Sequence, residues 1–294
     1  MKKILFALFV AIAATQTATA QHVRAKIVVD TIHSEVMGMD QEVTVLLPPS
    51  FERDTDRRYP VLYLLHGMSD DNRSWERNGR LLDVAAPLFA NGEATEMVII
   101  TPKAGERDVH KYQNGYFNIP GWEFENFFFK ELVPTLESRY RIVGDRRHRA
   151  VAGLSMGGGG ATSYGLRHPD MFCAVYAMSA LMHISPEIRF PQDPNNPDDK
   201  VAKLTRSVIE NSCTDYVRNA DEQTCERLRT VAWFVDCGDD DFLLDVNIEF
   251  YQTMRRRHIP CQFRVRDGGH TWEYWHTALY ACLPFVSRNF SLTD

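Results

Sequence analysis

The sequence predicts an α/β fold with a mostly parallel central sheet and helices on both faces. Short continuous apolar runs alternate with segments of helical periodicity along most of the chain. Continuous apolar runs are typical of parallel strands buried on both faces, and their alternation with helices is typical of doubly wound sheets. Hydrophobic residues make up 44% and charged residues 24% of the chain, which excludes a disordered or fibrous protein.

The strands are expected to begin with an antiparallel pair at one edge of the sheet. Lys26–Ser34 and Gln41–Pro49 alternate apolar with polar residues, as half-exposed edge strands do. Five apolar runs and a final alternating one follow, at Val61–Gly67, Met97–Pro102, Arg149–Gly153, Phe172–Ala180, Val231–Gly238 and Gln262–His270.

Helical periodicity lies between these runs. The predicted helices are Trp122–Tyr140, Gly157–His168, Phe242–His258 and Thr271–Phe290. Residues 183–230 interrupt the rhythm with a proline- and asparagine-rich loop followed by a polar, helix-like stretch. Long insertions of this kind are usually functional or disordered. We interpret residues 21–294 as one α/β domain, with a small cap at about 183–230.

The first 20 residues indicate a secretory signal peptide. Lys2 and Lys3 precede a short apolar run, and Ala18–Ala20 is a small-residue cleavage site. Cleavage after Ala20 would leave 294 − 20 = 274 residues and move the formal net charge from −6 to −8. We therefore expect a periplasmic or secreted protein with no membrane anchor. The negative charge argues against a nucleic-acid partner.

Six cysteines would then lie in an oxidising compartment. Four of them occupy apolar runs and are expected to be buried as small hydrophobes. Cys213 and Cys225 lie close together in a polar region, and a disulfide between them is predicted.

The segment Gly153-Leu154-Ser155-Met156-Gly157 matches the pattern G-x-S-x-G between a predicted strand and a predicted helix. That context is required for a nucleophile elbow, a turn so sharp that side chains two positions either side of the serine would clash. A phosphate-binding loop is excluded because no Lys-Ser or Lys-Thr pair follows. We therefore expect Ser155 to be a nucleophile.

A serine nucleophile needs a base and an acid, which in α/β-hydrolases follow it in the order acid, then histidine. His270, on a glycine-rich loop before the last helix, is the expected base. The acid is expected among Asp239, Asp240 and Asp241, since Asp236 lies within a strand and would point into the fold.

Two backbone N–H groups are expected to hold the oxyanion. The first belongs to Met156, directly after Ser155. The second is expected after the strand that ends in His66-Gly67, at Met68.

Four segments, YLLHG at 63–67, GLSMGG at 153–158, CGDDDFL at 237–243 and GGHTWEYW at 268–275, resemble one esterase family. The family includes esterase D, the feruloyl and acetylxylan esterases of carbohydrate esterase family 1, and the mycolyltransferases. The resemblance implies an α/β-hydrolase fold and Asp241 as the acid, at the last position of G-x-x-D. GGHTWEYW is similar to feruloyl esterases of plant-polysaccharide degraders. S-formylglutathione hydrolases are less similar, with a serine where His66 stands.

The expected function is a serine esterase that removes feruloyl or acetyl groups from xylan through an acyl-enzyme. Candidate substrate-binding residues are Trp272, His66 and Trp122, since aromatic rings stack on sugars and phenols. Alternatives are a periplasmic siderophore trilactone esterase, a general S-formylglutathione hydrolase-like esterase, and a binding protein without catalysis. No cofactor or metal is expected, because no metal-ligand spacing is present.

Overall fold

The computed structural model of the chain describes residues 24–193 and 195–291. Its strands are β1 (Lys26–Ser34), β2 (Met39–Leu47), β3 (Val61–Leu65), β4 (Val98–Pro102), β5 (Asn118–Ile119), β6 (Trp122–Glu123), β7 (Arg149–Leu154), β8 (Ala174–Met178), β9 (Ala232–Gly238) and β10 (Gln262–Arg266). Its α-helices are α1 (Ser74–Arg77), α2 (Leu81–Ala90), α3 (Phe124–Phe127), α4 (Val133–Arg139), α5 (Ser155–Arg167), α6 (Lys200–Glu210), α7 (Cys213–Asn219), α8 (Glu222–Leu228), α9 (Leu244–Arg256) and α10 (Trp272–Asn289).

The central sheet has eight strands in the order β1-β2-β4-β3-β7-β8-β9-β10. Strand β2 is antiparallel to both of its neighbours, β1 and β4. All other neighbouring strands of this sheet are parallel. Strands β3, β4, β7 and β8 are buried along their whole length, which is why they are continuous apolar runs. Apolar layers cover both faces. The predicted α/β fold and the antiparallel edge pair are confirmed.

The helices agree with the predictions in part. The predicted helices Gly157–His168, Phe242–His258 and Thr271–Phe290 correspond to α5, α9 and α10. The predicted helix Trp122–Tyr140 corresponds to a continuous helical segment over residues 124–139, formed by α3, a π-helical turn at Phe128–Leu132 and α4, and its first two residues instead form β6. Pro134, at the start of α4, has no N–H to donate and displaces the preceding carbonyls, which widens that turn. Helices α1 and α2 were not predicted.

The insertion at residues 183–230 contains α6, α7 and α8, whose N-caps are Asp199, Ser212 and Asp221. It packs beside α5 and α9, and Arg218 pairs with Glu249 of α9. Within the described part of the insertion, no hydrogen bond or aromatic contact reaches the predicted catalytic residues. Its role as a cap therefore stays a prediction.

The predicted disulfide is wrong in this structure, since all six cysteines are free. The Cys213 thiol donates to the carbonyl of Gly159 in α5, at 3.4 Å, whereas Cys225 accepts from the Arg257 guanidinium at 3.3 Å. The two cysteines lie on different helices, and each packs against a different neighbour. Their closeness in sequence therefore does not bring the sulfurs together.

The predicted signal peptide, residues 1–20, lies outside the described residues. Within the described ranges, the structure has no helix that is both long enough and apolar enough to cross a membrane.

Candidate active site

The turn that carries Ser155 leaves no room for side chains at the two flanking glycines, Gly153 and Gly157. Strand β7 ends at Leu154, and α5 begins at Ser155. The backbone of Ser155 has φ +53°, in the left-handed region. A Cβ atom on Gly153 would lie 2.3 Å from the Gly157 carbonyl oxygen, and one on Gly157 would lie 2.4 Å from the His66 carbonyl oxygen. Both contacts are with backbone, which cannot rotate away. The two glycines therefore allow β7, α5 and the end of β3 to meet at the serine.

Three of the predicted residues form one hydrogen-bonded chain. The Ser155 Oγ lies 2.9 Å from His270 Nε2. The other ring nitrogen, Nδ1, lies 2.9 Å and 3.0 Å from the two carboxylate oxygens of Asp241. When Nδ1 donates its proton to Asp241, Nε2 presents a lone pair to the serine hydroxyl. This arrangement can remove the hydroxyl proton as the oxygen attacks.

The carboxylate of Asp241 is held in its charged form. Burial alone would raise the pKa of Asp241. The hydrogen bond from His270, the electrostatic attraction of the His270 imidazole and further hydrogen bonds hold that pKa below its usual value. The further donors are the Ser179 hydroxyl and the Leu243 N–H, the latter at 2.9 Å. The side chain of Asp241 is fully buried, so its charge acts on the imidazole with little solvent screening.

The two neighbouring acids, Asp239 and Asp240, connect two loops of the site. The Gly268 N–H donates to Asp239 Oδ1 at 3.0 Å, and the Asp240 N–H donates to the Gly268 carbonyl at 3.1 Å. These bonds tie the loop that carries Asp241 to the loop that carries His270. With Asp267, the two acids also form an exposed cluster whose carboxylates lie within 4.8 Å of one another. Exposed acidic clusters are common without a metal, so we assign it no ligand.

Beneath these loops, Asp236 is fully buried in β9, as expected for a residue that points into the fold. The hydroxyls of Tyr176 and Tyr274 donate to its two oxygens at 2.7 Å and 2.5 Å. The guanidinium of Arg264 pairs with the same carboxylate, and Arg266 Nε lies 3.6 Å away. The network joins β8, β9, β10 and the first turn of α10. It therefore fixes the two strands and the helix that flank the His270 loop.

The predicted oxyanion donors flank Ser155. The Met156 N–H is at the second position of α5, where helix geometry provides no intrahelical acceptor. The Met68 N–H has no protein acceptor among residues 24–193 and 195–291. A Cβ atom on Gly67 would lie 3.6 Å from the Ser155 Cβ, so the Met68 loop runs beside the serine. Both N–H groups are therefore free to bind a ligand oxygen.

The prediction that His66 contacts substrate is wrong, because its ring is fully buried with both nitrogens occupied. The Ala104 N–H donates to Nε2 at 2.9 Å, so Nδ1 carries the proton and donates to the Gly67 carbonyl at 2.8 Å. Burial lowers the pKa of His66 to about 4, which keeps the ring neutral. The histidine instead fixes the peptide group that contains the Gly67 carbonyl and the Met68 N–H.

The two predicted tryptophans have different surroundings. The partly exposed Trp272 lies between Trp75 and Trp275, with ring centroids 5.2 Å and 5.4 Å away and nearly perpendicular planes. The Trp122 indole donates to the Gly115 carbonyl at 2.9 Å. No hydrogen bond or aromatic contact in the described structure joins Trp122 to the Ser155 group. Substrate binding by either residue stays a prediction.

Sequence reasoning missed two residues beside the His270–Asp241 pair, Phe242 and Ser179. The ring of Phe242 lies 4.6 Å from that of His270 and is 59% exposed. The buried Trp275 lies perpendicular to the imidazole at 4.8 Å, and its indole donates to the Ser179 hydroxyl at 3.0 Å. The position of Ser179, directly after β8 at the carboxyl edge of the sheet, is the signal that could have identified it.

Residues 34–286 match the family model described as "Putative esterase". The chain belongs to this esterase family. A solved ferulic acid esterase is 59% identical, with a TM-score of 0.88, and the match covers 92% of this chain and 100% of that one. This family member is therefore a carboxylic ester hydrolase, and the resemblance and the α/β-hydrolase fold expected from the sequence are confirmed.

Curated relatives of this esterase include larger proteins. An endo-1,4-beta-xylanase/feruloyl esterase of Xylanibacter ruminicola is 32% identical over 165 residues, which are 55% of this chain and 22% of that relative. The matched part is thus about a fifth of that relative's length. An acetyl esterase of Caldicellulosiruptor saccharolyticus is 22% identical over 271 residues, which are 87% of this chain and 96% of the relative.

Proposed function

We propose that this esterase is a secreted serine feruloyl esterase that releases ferulate from plant polysaccharide such as xylan. The observation that carries the mechanism is the hydrogen-bonded chain from Ser155 through His270 to Asp241. The substrate proposal is supported by the 59% identity to a ferulic acid esterase over its whole length.

In the proposed mechanism, Ser155 Oγ attacks the ester carbonyl carbon while His270 Nε2 takes the hydroxyl proton. The carbonyl oxygen becomes an oxyanion that accepts hydrogen bonds from the Met156 and Met68 N–H groups. Asp241 stabilises the imidazolium, which then gives its proton to the leaving sugar alkoxide and releases the alcohol. The same histidine next takes a proton from water, whose oxygen attacks the acyl-serine. The second oxyanion collapses, the acid departs, and the proton returns to Ser155.

The alternative of a siderophore trilactone esterase depends on four basic residues of the insertion, Arg189, Lys200, Lys203 and Arg206. Basic residues of the insertion would have to attract an anionic catecholate complex. Lys200 and Lys203 both pair with Asp198, whose pKa is lowered to about 2 by those two hydrogen bonds. This one carboxylate therefore offsets one of the two positive charges.

Initial rates on methyl ferulate, acetylated xylan, p-nitrophenyl acetate and a catecholate trilactone would test the proposal. We expect the largest kcat/KM on methyl ferulate, and Ser155→Ala should lower that rate by about 10⁴-fold or more. The matched control is Ser163→Ala, because Ser163 is a buried serine of the same helix. Full activity of Ser155→Ala would refute the mechanism. Serine-dependent turnover of another ester, with none of ferulate, would refute the substrate.

Secretion is tested separately. Expression of the full chain in a Gram-negative host, followed by fractionation and N-terminal sequencing, should give a periplasmic or extracellular protein that begins at Gln21. Recovery of the uncleaved chain in the cytoplasm would contradict this part of the proposal.

A further inference from the structure

A cleft of about 420 Å³ opens at the edge of the sheet where Ser155 lies, but outside the group of residues described above. Its walls come from the segment Asp71–Arg77, after β3, and from Lys103–Tyr112, after β4. In the sheet, β4 lies next to β3, and β3 lies next to β7, which carries the serine. Neighbouring strands are about 4.8 Å apart, so the carboxyl ends of β4 and β7 are roughly 10 Å apart, and the cleft opens beyond the end of β4.

The charged groups of the cleft are balanced. Its lining includes four acids and four bases, which are Glu42, Asp71, Glu106, Asp108, Arg73, Arg77, Lys103 and Arg107. Two ion pairs fix part of this set, between Arg77 and Asp71 at 2.5 Å and between Lys103 and Glu106 at 2.8 Å. An anion or a cation would meet as many like charges as opposite ones. A neutral ligand with many hydroxyl groups would instead find donors and acceptors on every side.

An aromatic ring completes the wall. Tyr112 is 39% exposed, and its backbone N–H is held by the Asp108 carbonyl at 2.9 Å. The Lys111 ammonium lies 5.0 Å from the centre of the tyrosine ring. Nearby, Asn72 is buried, and its amide donates to Thr44 Oγ1 at 3.1 Å, so this polar group is fixed. An exposed ring beside fixed polar groups suits a sugar, which has one apolar C–H face and a rim of hydroxyls.

We propose that this cleft binds neutral sugar units of the ester's alcohol, at the same edge of the sheet as the scissile bond at Ser155. The inference rests on the proposed function, because it places the acyl group at Ser155 and the glycan chain beside Tyr112. Ferulate esters of small alcohols, which have no glycan, do not reach the cleft.

Kinetics on two ferulate esters separate the cleft from the catalytic group. Methyl ferulate has no sugar, whereas a feruloylated arabinoxylo-oligosaccharide has several. We expect Tyr112→Ala to raise KM for the oligosaccharide about five- to tenfold and to leave methyl ferulate kinetics within about twofold. The matched control is Tyr280→Ala, which removes another exposed tyrosine, in α10 and outside the cleft. Equal losses on both esters, or no loss on the oligosaccharide, would overturn the proposal.

Direct binding supplies a readout that does not depend on turnover. Titration of the Ser155→Ala variant with an arabinoxylo-oligosaccharide without ferulate should show binding by calorimetry, and adding Tyr112→Ala or Arg107→Ala should weaken it about fivefold or more. Inorganic phosphate should not compete. No binding, or competition by phosphate, would overturn the sugar site. If the wild type bound the oligosaccharide but did not hydrolyse methyl ferulate, the proposed function would fail while the sugar site stood.

Discussion

Replacing Gly157 with alanine should damage catalysis more than stability. The new Cβ would lie 2.4 Å from the His66 carbonyl oxygen, whereas real Cβ contacts essentially never fall below 3.0 Å and are ordinary from 3.4 Å. The first turn of α5 must therefore move away from β3 by 3.0 − 2.4 = 0.6 Å to 3.4 − 2.4 = 1.0 Å. That turn carries Ser155 and the Met156 N–H. A displacement of about 1 Å at reacting groups can cost on the order of 10²-fold in rate.

The matched control is Gly165→Ala, which lies ten residues after Ser155 along α5 and therefore about 15 Å from the serine. A Cβ there would lie 2.4 Å from Val175 Cγ2, so both variants overpack the same helix against the sheet. Each should cost about 1–3 kcal/mol of unfolding free energy, measured in urea. Only Gly157→Ala should lower kcat/KM on methyl ferulate about 100-fold, after the active enzyme is titrated with a fluorophosphonate. Near wild-type kcat/KM for Gly157→Ala, or equal losses in both variants, would refute this reasoning.

Three further outcomes are expected. Asp241→Asn should lower kcat by about 10⁴-fold by favouring the wrong imidazole tautomer, whereas Asp240→Asn should stay near wild type; similar losses would contradict this. Phe242→Ala should lower kcat/KM about two- to tenfold for methyl ferulate but less for p-nitrophenyl acetate, since the exposed ring offers aromatic contact; equal losses would instead indicate shielding of His270. Burial raises the pKa of Asp70 from 3.8 to about 6, so the folded chain retains a proton that the unfolded chain loses. The contribution of Asp70 to stability should therefore fall as the pH rises from about 4 to 6, against an opposite contribution from His66, whose pKa is lowered to about 4. Asp70→Asn should make the slope of unfolding free energy against pH more positive than in the wild type, and an unchanged slope in urea titrations would contradict this.

The sheet and the nucleophile turn were predictable because local constraints determine them. Strands buried on both faces are apolar at nearly every position, as Val61–Leu65 and Ala174–Met178 are. The serine turn needs glycine at fixed offsets, and the histidine and acid loops follow later strands in a known order. Helix α2 was missed because Pro87 interrupts its pattern, a residue that normally argues against a helix interior.

The surroundings of the site depend on contacts that the sequence does not display. The burial of His66 depends on the Ala104 N–H, 38 residues away, and the Trp275 indole reaches Ser179 across 96 residues. An exposed phenylalanine next to the acid looks like any loop residue until its ring is found against His270. Pairings at such distances are set by packing, which a single sequence leaves open.

The buried Asp236 network has a consequence for how this esterase would lose activity on heating. The acid and the histidine lie on loops tied to each other and anchored on β9, β10 and α10, whereas Ser155 belongs to β7 and α5. Strand β10 is the edge of the sheet and is only partly buried. Fraying of β10 would release the start of the His270 loop, whereas α10 and the Asp241 loop stay packed against α2, β8 and β9. Thermal inactivation would thus begin with a misplaced imidazole, before the fold around the serine melts.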